Sequence, residues 1–476
     1  MSKLSRNGYI IKKKDFSLKE IKEIKDDLIV KPFNYNDIGT GTEKKFSVFL
    51  ESPNKLYLPR FYGINKFGNP QENKIEDGEK ININFKGDLR DEQKPIFNII
   101  NEKLLDKGGA IISLKCGGGK TILALYILAK LKVKTMVVVH KDFLMTQWKD
   151  RIEEFIPEAK IGKIQQTTID IDNKDIVLAM VQSLSMKEYD KDIFKPFGLI
   201  IFDECHHLGA EMFSKCMSKV ASKYMLGLSA TPNRKDGLRK VFEWYIGEIE
   251  YTSKEKNEDY VEVSIINYDS TNENYCKVEN GYQGKPNFPK MINKICEFKP
   301  RTEVIITKAV ELFNEGNRNI LILSDRRGHL DYISIELTKF NISCGFYVGG
   351  VKPELLREAQ NKDIVLGTFS MASEGMDIPK LNTIILSSPK SDIVQSVGRI
   401  LRQKKENRIK HPHIIDINDG ISMFNNQYKK RLAHYSKNKY DITIFNIDGT
   451  TEKYKNKKNK NKKNKNKINL EECLID

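Results

Sequence analysis

The chain has 476 residues, 39% of them apolar and 30% charged, with a formal charge of +16. That length exceeds what one hydrophobic core supports, so two or three domains are expected. No apolar run reaches the roughly 18–20 residues of a membrane span, no secretory signal opens the chain, and the seven scattered cysteines form no C-x-x-C pair. These features argue against a membrane protein, a zinc module and a disulfide scaffold, and lead us to expect a soluble intracellular protein. The charge points to a polyanionic partner. Nine lysines and no acid lie from Lys453 to Lys467, so the rest of the chain carries +7.

Residues 1–86 read as a small N-terminal accessory domain. A helix is expected over 16–30, stopped by Lys31-Pro32, followed by short strands at 45–50 and 55–58. Pro59-Arg60-Phe61-Tyr62-Gly63 mixes a cation with aromatics. Such a mix can stack bases, but a small domain's own core uses it more often, and that is the expectation here. Residues 64–86 read as a polar linker.

Residues 87–250 form the first α/β domain. A helix is expected from Leu89 to Ile100, and the Gln93 amide offers a donor and an acceptor suited to an adenine edge. An apolar run at 110–113 reads as a strand and 122–128 as a helix. They flank Leu114-Lys115-Cys116-Gly117-Gly118-Gly119-Lys120-Thr121. Strand, glycine loop, Lys-Thr, helix is the layout of a phosphate-binding loop. Glycines let backbone N–H groups approach a polyphosphate, and the helix N-terminus adds partial positive charge. Lys120 would reach the β- and γ-phosphates of ATP, and the Thr121 hydroxyl would ligate Mg²⁺. Leu114 stands where the first glycine of the full pattern belongs.

Further strands are expected at 136–139, 176–180, 199–202 and 224–228. Continuous apolar runs alternating with helices imply a parallel sheet covered on both faces, with ligands at the carboxyl ends. Asp203-Glu204-Cys205-His206 follows one such run. Asp203 is placed to hold Mg²⁺ and Glu204 to polarise an attacking water. His206 and His207 have no further ligand spacing that would make a metal site. Ser229-Ala230-Thr231 follows the next run; alone it is a turn, and beside the acidic site it would act as a relay.

In this order at strand ends, the three motifs resemble superfamily 2 helicases and translocases of the DExH type, over about residues 87–440. The resemblance implies an α/β fold of two tandem RecA-like parallel-sheet domains, here with the N-terminal accessory domain and a disordered basic tail. It implies ATP and Mg²⁺ as cofactors and nucleic acid as partner, and a departure like Leu114 is frequent in that superfamily. It also implies that His140 and Lys141, in the segment running to Gln147-Trp148, and Gln182 and Ser183 touch the nucleic-acid backbone.

Residues 251–299 read as a connector and 300–440 as the second α/β domain, with strands expected at 319–323, 344–348, 364–366, 383–386 and 413–417. It lacks a glycine-rich Lys-Thr loop, which makes sense if it supplies groups to a nucleotide held by the first domain. On a helix, Gln395, Arg399 and Arg402 share a face. Two guanidinium groups presented together suit a triphosphate, and one would act as an arginine finger. The superfamily pattern Q-x-x-G-R-x-x-R is matched there at every fixed position. The same resemblance implies backbone contacts from Thr368 and from Arg326 or Arg327, and nucleotide contacts from Gly375 and Asp377.

From Tyr347 to Arg402 the wording is similar to helicases of large cytoplasmic DNA viruses, including the poxvirus transcript-release helicase, a branch related to the TFIIH translocase. That implies DNA in preference to RNA, 3′-to-5′ movement, a role in viral transcription or genome processing with transcription machinery as a partner, and, for a viral protein, the host cytoplasm or virion. A duplex translocase without strand separation, an RNA helicase and a binding protein with a vestigial ATPase are the alternatives. A restriction-enzyme motor subunit lacks a nuclease-type acidic cluster. Residues 441–476 read as a tail, Lys-Asn rich and disordered beyond about 450, which could hold nucleic acid, act as an import patch or reflect codon drift.

Overall fold

The computed structural model describes residues 2–31, 45–115, 117–205, 210–230, 237–253, 260–281, 284, 286–374, 376–403, 405–446 and 448–454. Cys116, His206, His207, Thr231, Gly375 and the tail from 455 onward lie outside these residues. The chain divides into two compact units, Met1–Glu255 and Lys256–Asp476. No helix among the described residues is long and apolar enough to cross a membrane.

The first unit is built on an eight-stranded sheet. Its strands lie in the order Thr168–Asp170, Ile161–Gln165, Ile176–Met180, Thr135–Val139, Leu199–Phe202, Tyr224–Ser229, Gly109–Ser113 and Ile249–Thr252. All neighbours are parallel except the outermost pair, Ile161–Gln165 with Thr168–Asp170. The central strands are apolar throughout because both faces are covered. Ile112, Val137, Ile201 and Leu226 pack into the core on one face, and Ile111, Val138, Ile200 and Met225 into the core on the other. The expected helix after the glycine loop is Lys120–Leu131. The expected helix at Leu89 begins later and runs Lys94–Lys107, with Pro95 in its first turn.

The N-terminal segment belongs to the same unit. Its five-stranded sheet has the order Leu50–Glu51, Lys55–Leu58, Gly8–Lys12, Lys3–Ser5, Glu72–Asn73. The helix expected at 16–30 is Leu18–Asp27, started by a capping box. The Ser17 hydroxyl accepts from the Glu20 N–H, and the Glu20 carboxylate accepts from the Ser17 N–H at 2.7 Å. Arg60 follows the core reading. Its guanidinium donates to the carbonyls of Lys107, Gly108, Ser222 and Lys223, and burial pulls its pKa down to about 10. The linker expected at 64–86 is instead partly built in. Glu72–Asn73 pairs with Lys3–Ser5, Ile83 is buried, and Phe85 stacks on Phe155 at 5.3 Å.

The second unit repeats the plan with another eight-stranded sheet. Its order is Cys344–Tyr347, Ile364–Thr368, Ile320–Ser324, Thr383–Leu386, His413–Asp419, Glu262–Tyr268, Asp441–Phe445 and Thr451–Lys453. Only the last pair is antiparallel. Two expectations change here. Glu262–Tyr268, read as part of a connector, lies inside the sheet between His413–Asp419 and Asp441–Phe445. Asp441–Phe445, read as the start of the tail, is a strand with Ile442 and Ile444 buried.

Candidate nucleotide-binding and hydrolysis site

Three neighbouring strands of the first sheet, Leu199–Phe202, Tyr224–Ser229 and Gly109–Ser113, carry the expected motifs at their carboxyl ends. The Leu114 N–H donates to the Ser229 carbonyl at 3.0 Å, tying the entry of the glycine loop to the end of its neighbour. Gly117 and Gly119 both adopt φ of +77°, a left-handed backbone that L side chains avoid. A Cβ on Gly119 would also sit 2.3 Å from Gln93 Nε2. Gln93 is buried against this loop. Its Nε2 lies 3.5 Å from the Gly118 carbonyl and 3.4 Å from that of Gly119, and its Oε1 accepts the Arg90 N–H at 3.1 Å. The structure therefore places Gln93 on the loop backbone, with part of its amide already committed there.

Lys120 opens the helix, and its Nζ lies 2.5 Å from Glu204 Oε1. The other Glu204 oxygen accepts the Ala230 N–H at 3.3 Å. Glu204 itself sits at φ of +45°. A left-handed carboxylate residue is strained by about 1–3 kcal/mol, and such strain concentrates at working sites. Asp203 is buried. Its Oδ1 accepts the Glu204 N–H at 3.0 Å and its Oδ2 accepts the Trp148 indole N–H at 2.8 Å. Burial pushes the Asp203 pKa up, the Glu204 charge adds to that, and Lys120 opposes it. Lys120 and the adjacent pair Asp203-Glu204, far apart in sequence, thus converge with Ala230 and Trp148. Sequence reading missed the last two as partners of the carboxylates. Trp148 was expected in a nucleic-acid segment, but its side chain is 1% exposed and turned inward.

Among the described residues no group of three or more His, Cys, Asp or Glu is placed to hold a metal ion. Mg²⁺ carried by a nucleotide needs no such group, because it takes one or two protein oxygens and keeps phosphates and water for the rest. Asp203, with each oxygen accepting one protein N–H and further lone pairs on the carboxylate, and the Thr121 hydroxyl in the first helical turn would suit that set.

The residues expected on nucleic acid also sit at carboxyl ends. His140 follows the strand Thr135–Val139 and Gln182 the adjacent Ile176–Met180. Gln182 Nε2 donates to the His140 carbonyl at 2.7 Å, and the Ser183 hydroxyl accepts the Gln166 N–H at 2.8 Å. Lys141 stands at the N-cap position of the helix Asp142–Phe155, where its carbonyl accepts the Leu144 N–H at 3.1 Å. In the second unit Thr368 ends its strand beside Ser370, 3.3 Å away. Arg326 turns toward the start of the helix Phe288–Glu297, donating to Asn293 and the Pro289 carbonyl.

Gln395, Arg399 and Arg402 do not share one regular helix. Val394–Val397 is α-helical, Gly398–Leu401 is a tighter 3₁₀ turn, and Arg402 lies beyond it. Gln395 and Arg399 are buried. Arg399 donates to the carbonyls of Ala372, Ser373 and Met376 at 2.6, 2.5 and 2.8 Å. The Arg399 guanidinium thus meets backbone carbonyls up to Met376, next in sequence to the residue that Arg402 engages. Arg402 pairs with Asp377.

Residues 86–234 match the family model described as type III restriction enzyme, res subunit. Over 467 residues the chain is 39% identical to a protein of Acanthamoeba polyphaga mimivirus named as an ATP-dependent RNA helicase, covering 95% of this chain and 89% of that one. A similarly named protein of African swine fever virus is 26% identical over 388 residues, covering 74% and 73%. The crystal structure of T4 UvsW aligns over 91% of this chain and 97% of its own, at 19% identity and a TM-score of 0.36. The chain belongs to the superfamily 2 helicases, in the family that includes these proteins of large DNA viruses. It is thus an ATP-dependent enzyme of the helicase class.

Proposed function

We propose that the protein hydrolyses ATP at the carboxyl edge of the first sheet to drive movement along DNA in the 3′-to-5′ direction, separating strands. The observation that carries the site is the meeting of Lys120, the pair Asp203-Glu204 and the Ala230 N–H at three adjacent strand ends beside a left-handed glycine loop. The loop N–H groups and Lys120 bind the β- and γ-phosphates. Gln93, already on the loop, adjoins the base. Thr121 and Asp203 hold Mg²⁺, which when bound neutralises charge on the phosphate oxygens. A γ-phosphate competes with Glu204 for Lys120, and a Glu204 released from Lys120 serves as base for water. Gly375, Asp377 and Gln395 belong to the second unit's contribution, with Arg402 as the group that stabilises developing charge. His140, Lys141, Gln182, Ser183, Thr368 and Arg326 contact the strand backbone, which makes the grip independent of sequence.

The DNA preference rests on the likeness to the transcript-release and TFIIH branch. RNA is the second reading, favoured by the names of the two viral relatives. Steady-state ATPase measured in parallel with single-stranded DNA, duplex DNA and RNA decides between them. Lys120→Ala and Glu204→Gln should each lose stimulated turnover by about 10²-fold or more. Unchanged turnover in a clean preparation of either variant contradicts the site. Strand displacement beside triplex displacement separates unwinding from translocation.

A further inference from the structure

Trp148 has no role in the scheme above, yet it touches the scheme's acidic centre. It stands in the helix Asp142–Phe155, within the core under the sheet. Its Nε1 lies 2.8 Å from Asp203 Oδ2, and both side chains are buried. The opposite oxygen, Oδ1, is held by the Glu204 N–H at 3.0 Å. With one donor on each oxygen, the plane of the carboxylate is fixed from the protein side. An indole has one N–H and no lone pair to offer. It can orient Asp203 without adding charge, without competing as a ligand and without accepting a proton. Groups that hydrogen-bond to a metal ligand from behind fix its orientation and tune its affinity.

We propose that Trp148 is a positioning residue for Asp203, orienting its carboxylate for the divalent cation that accompanies the nucleotide. The proposal rests on the reading of Asp203 as a ligand to that cation. The indole N–H, rather than the bulk of the ring, is the acting group, because it is the N–H that hydrogen-bonds to the carboxylate.

The test is binding of a fluorescent ADP to the full chain, titrated with Mg²⁺ and repeated in EDTA, so that no turnover is needed. Trp148 is replaced by Phe and, separately, by 3-benzothienylalanine, which keeps the shape of tryptophan and lacks the N–H. Both replacements should raise the Mg²⁺ concentration for half-maximal tightening by roughly tenfold or more, with affinity in EDTA held within about twofold. A benzothienylalanine protein with the wild-type Mg²⁺ response, beside an Asp203→Asn protein that has lost it, overturns the proposal alone. An Asp203→Asn protein that keeps the full response overturns the ligand reading and the proposal with it. The isosteric replacement keeps the test decisive if the Phe variant fails to fold.

Discussion

The guanidinium of Arg399 gives its three nitrogens to three carbonyls around the end of the helix Phe369–Glu374. Carbonyls at a helix C-terminus carry partial negative charge and lack helical partners, so a buried cation there is favourable. Arg402, three residues on, pairs with the Asp377 carboxylate, and its side chain is 17% exposed. The partners of the two arginines of one sequence pattern therefore differ in kind, carbonyls for Arg399 and a carboxylate for Arg402, and we expect different roles from them. Arg399→Met leaves buried carbonyls unpaired, at about 1–3 kcal/mol each, and should lower the melting temperature by several degrees. Arg402→Ala should melt close to wild type and still bind ATP, while turnover falls by about a thousandfold or more, as removing an arginine finger does. Parallel melting, nucleotide-binding and ATPase measurements check both. Equal loss of stability in the two variants would dissolve the distinction. Sequence pattern marks these positions but does not reveal whether a guanidinium faces backbone or ligand.

At the scale of elements, the N-terminal segment is joined to the sheet of its unit by polar groups that composition hides. Arg60 gathers the end of the helix Lys94–Lys107 and the carbonyls ahead of the strand Tyr224–Ser229. The Tyr245 hydroxyl donates to the Val48 carbonyl at 2.8 Å, and Tyr62 meets Trp244 edge-on at 5.5 Å. Arg60→Met should cost about 1–3 kcal/mol through the carbonyls it strands, and limited proteolysis should then cut the first 86 residues sooner. Unchanged protection would show that the apolar contacts hold the segment alone. The central strands of both sheets were legible because doubly covered strands are apolar along their length, as in Ile320–Ser324. Glu262–Tyr268 was not, because its polar residues are paired inside the sheet. Ser264 meets His413 at 2.9 Å, while Asn267 pairs with Asn446 and Asn418 at 2.7 and 2.8 Å. Read alone, those residues suggest solvent. The glycine loop and Asp203-Glu204 were legible because their chemistry is local. The Trp148 contact spans 55 residues of sequence, and no spacing rule announces it.

For the whole molecule the distribution of charge matters more than its sum. Ending the chain at residue 454 removes eight lysines and three acids and lowers the formal charge from +16 to +11. If those lysines lie against phosphates, each one engaged releases counterions and steepens the salt dependence of binding. The slope of log affinity against log salt changes by about 0.9 per phosphate neutralised on duplex and about 0.7 on single strands. Should about four of the eight lysines be engaged, the truncated protein will show a slope shallower by roughly 3, and its binding will weaken most at low salt. ATPase without nucleic acid should not change, because Lys120, Asp203 and Glu204 all lie upstream. Superposable slopes for the full and shortened chains would remove the tail from the binding surface. The remaining basic charge would then have to account for the whole electrostatic grip.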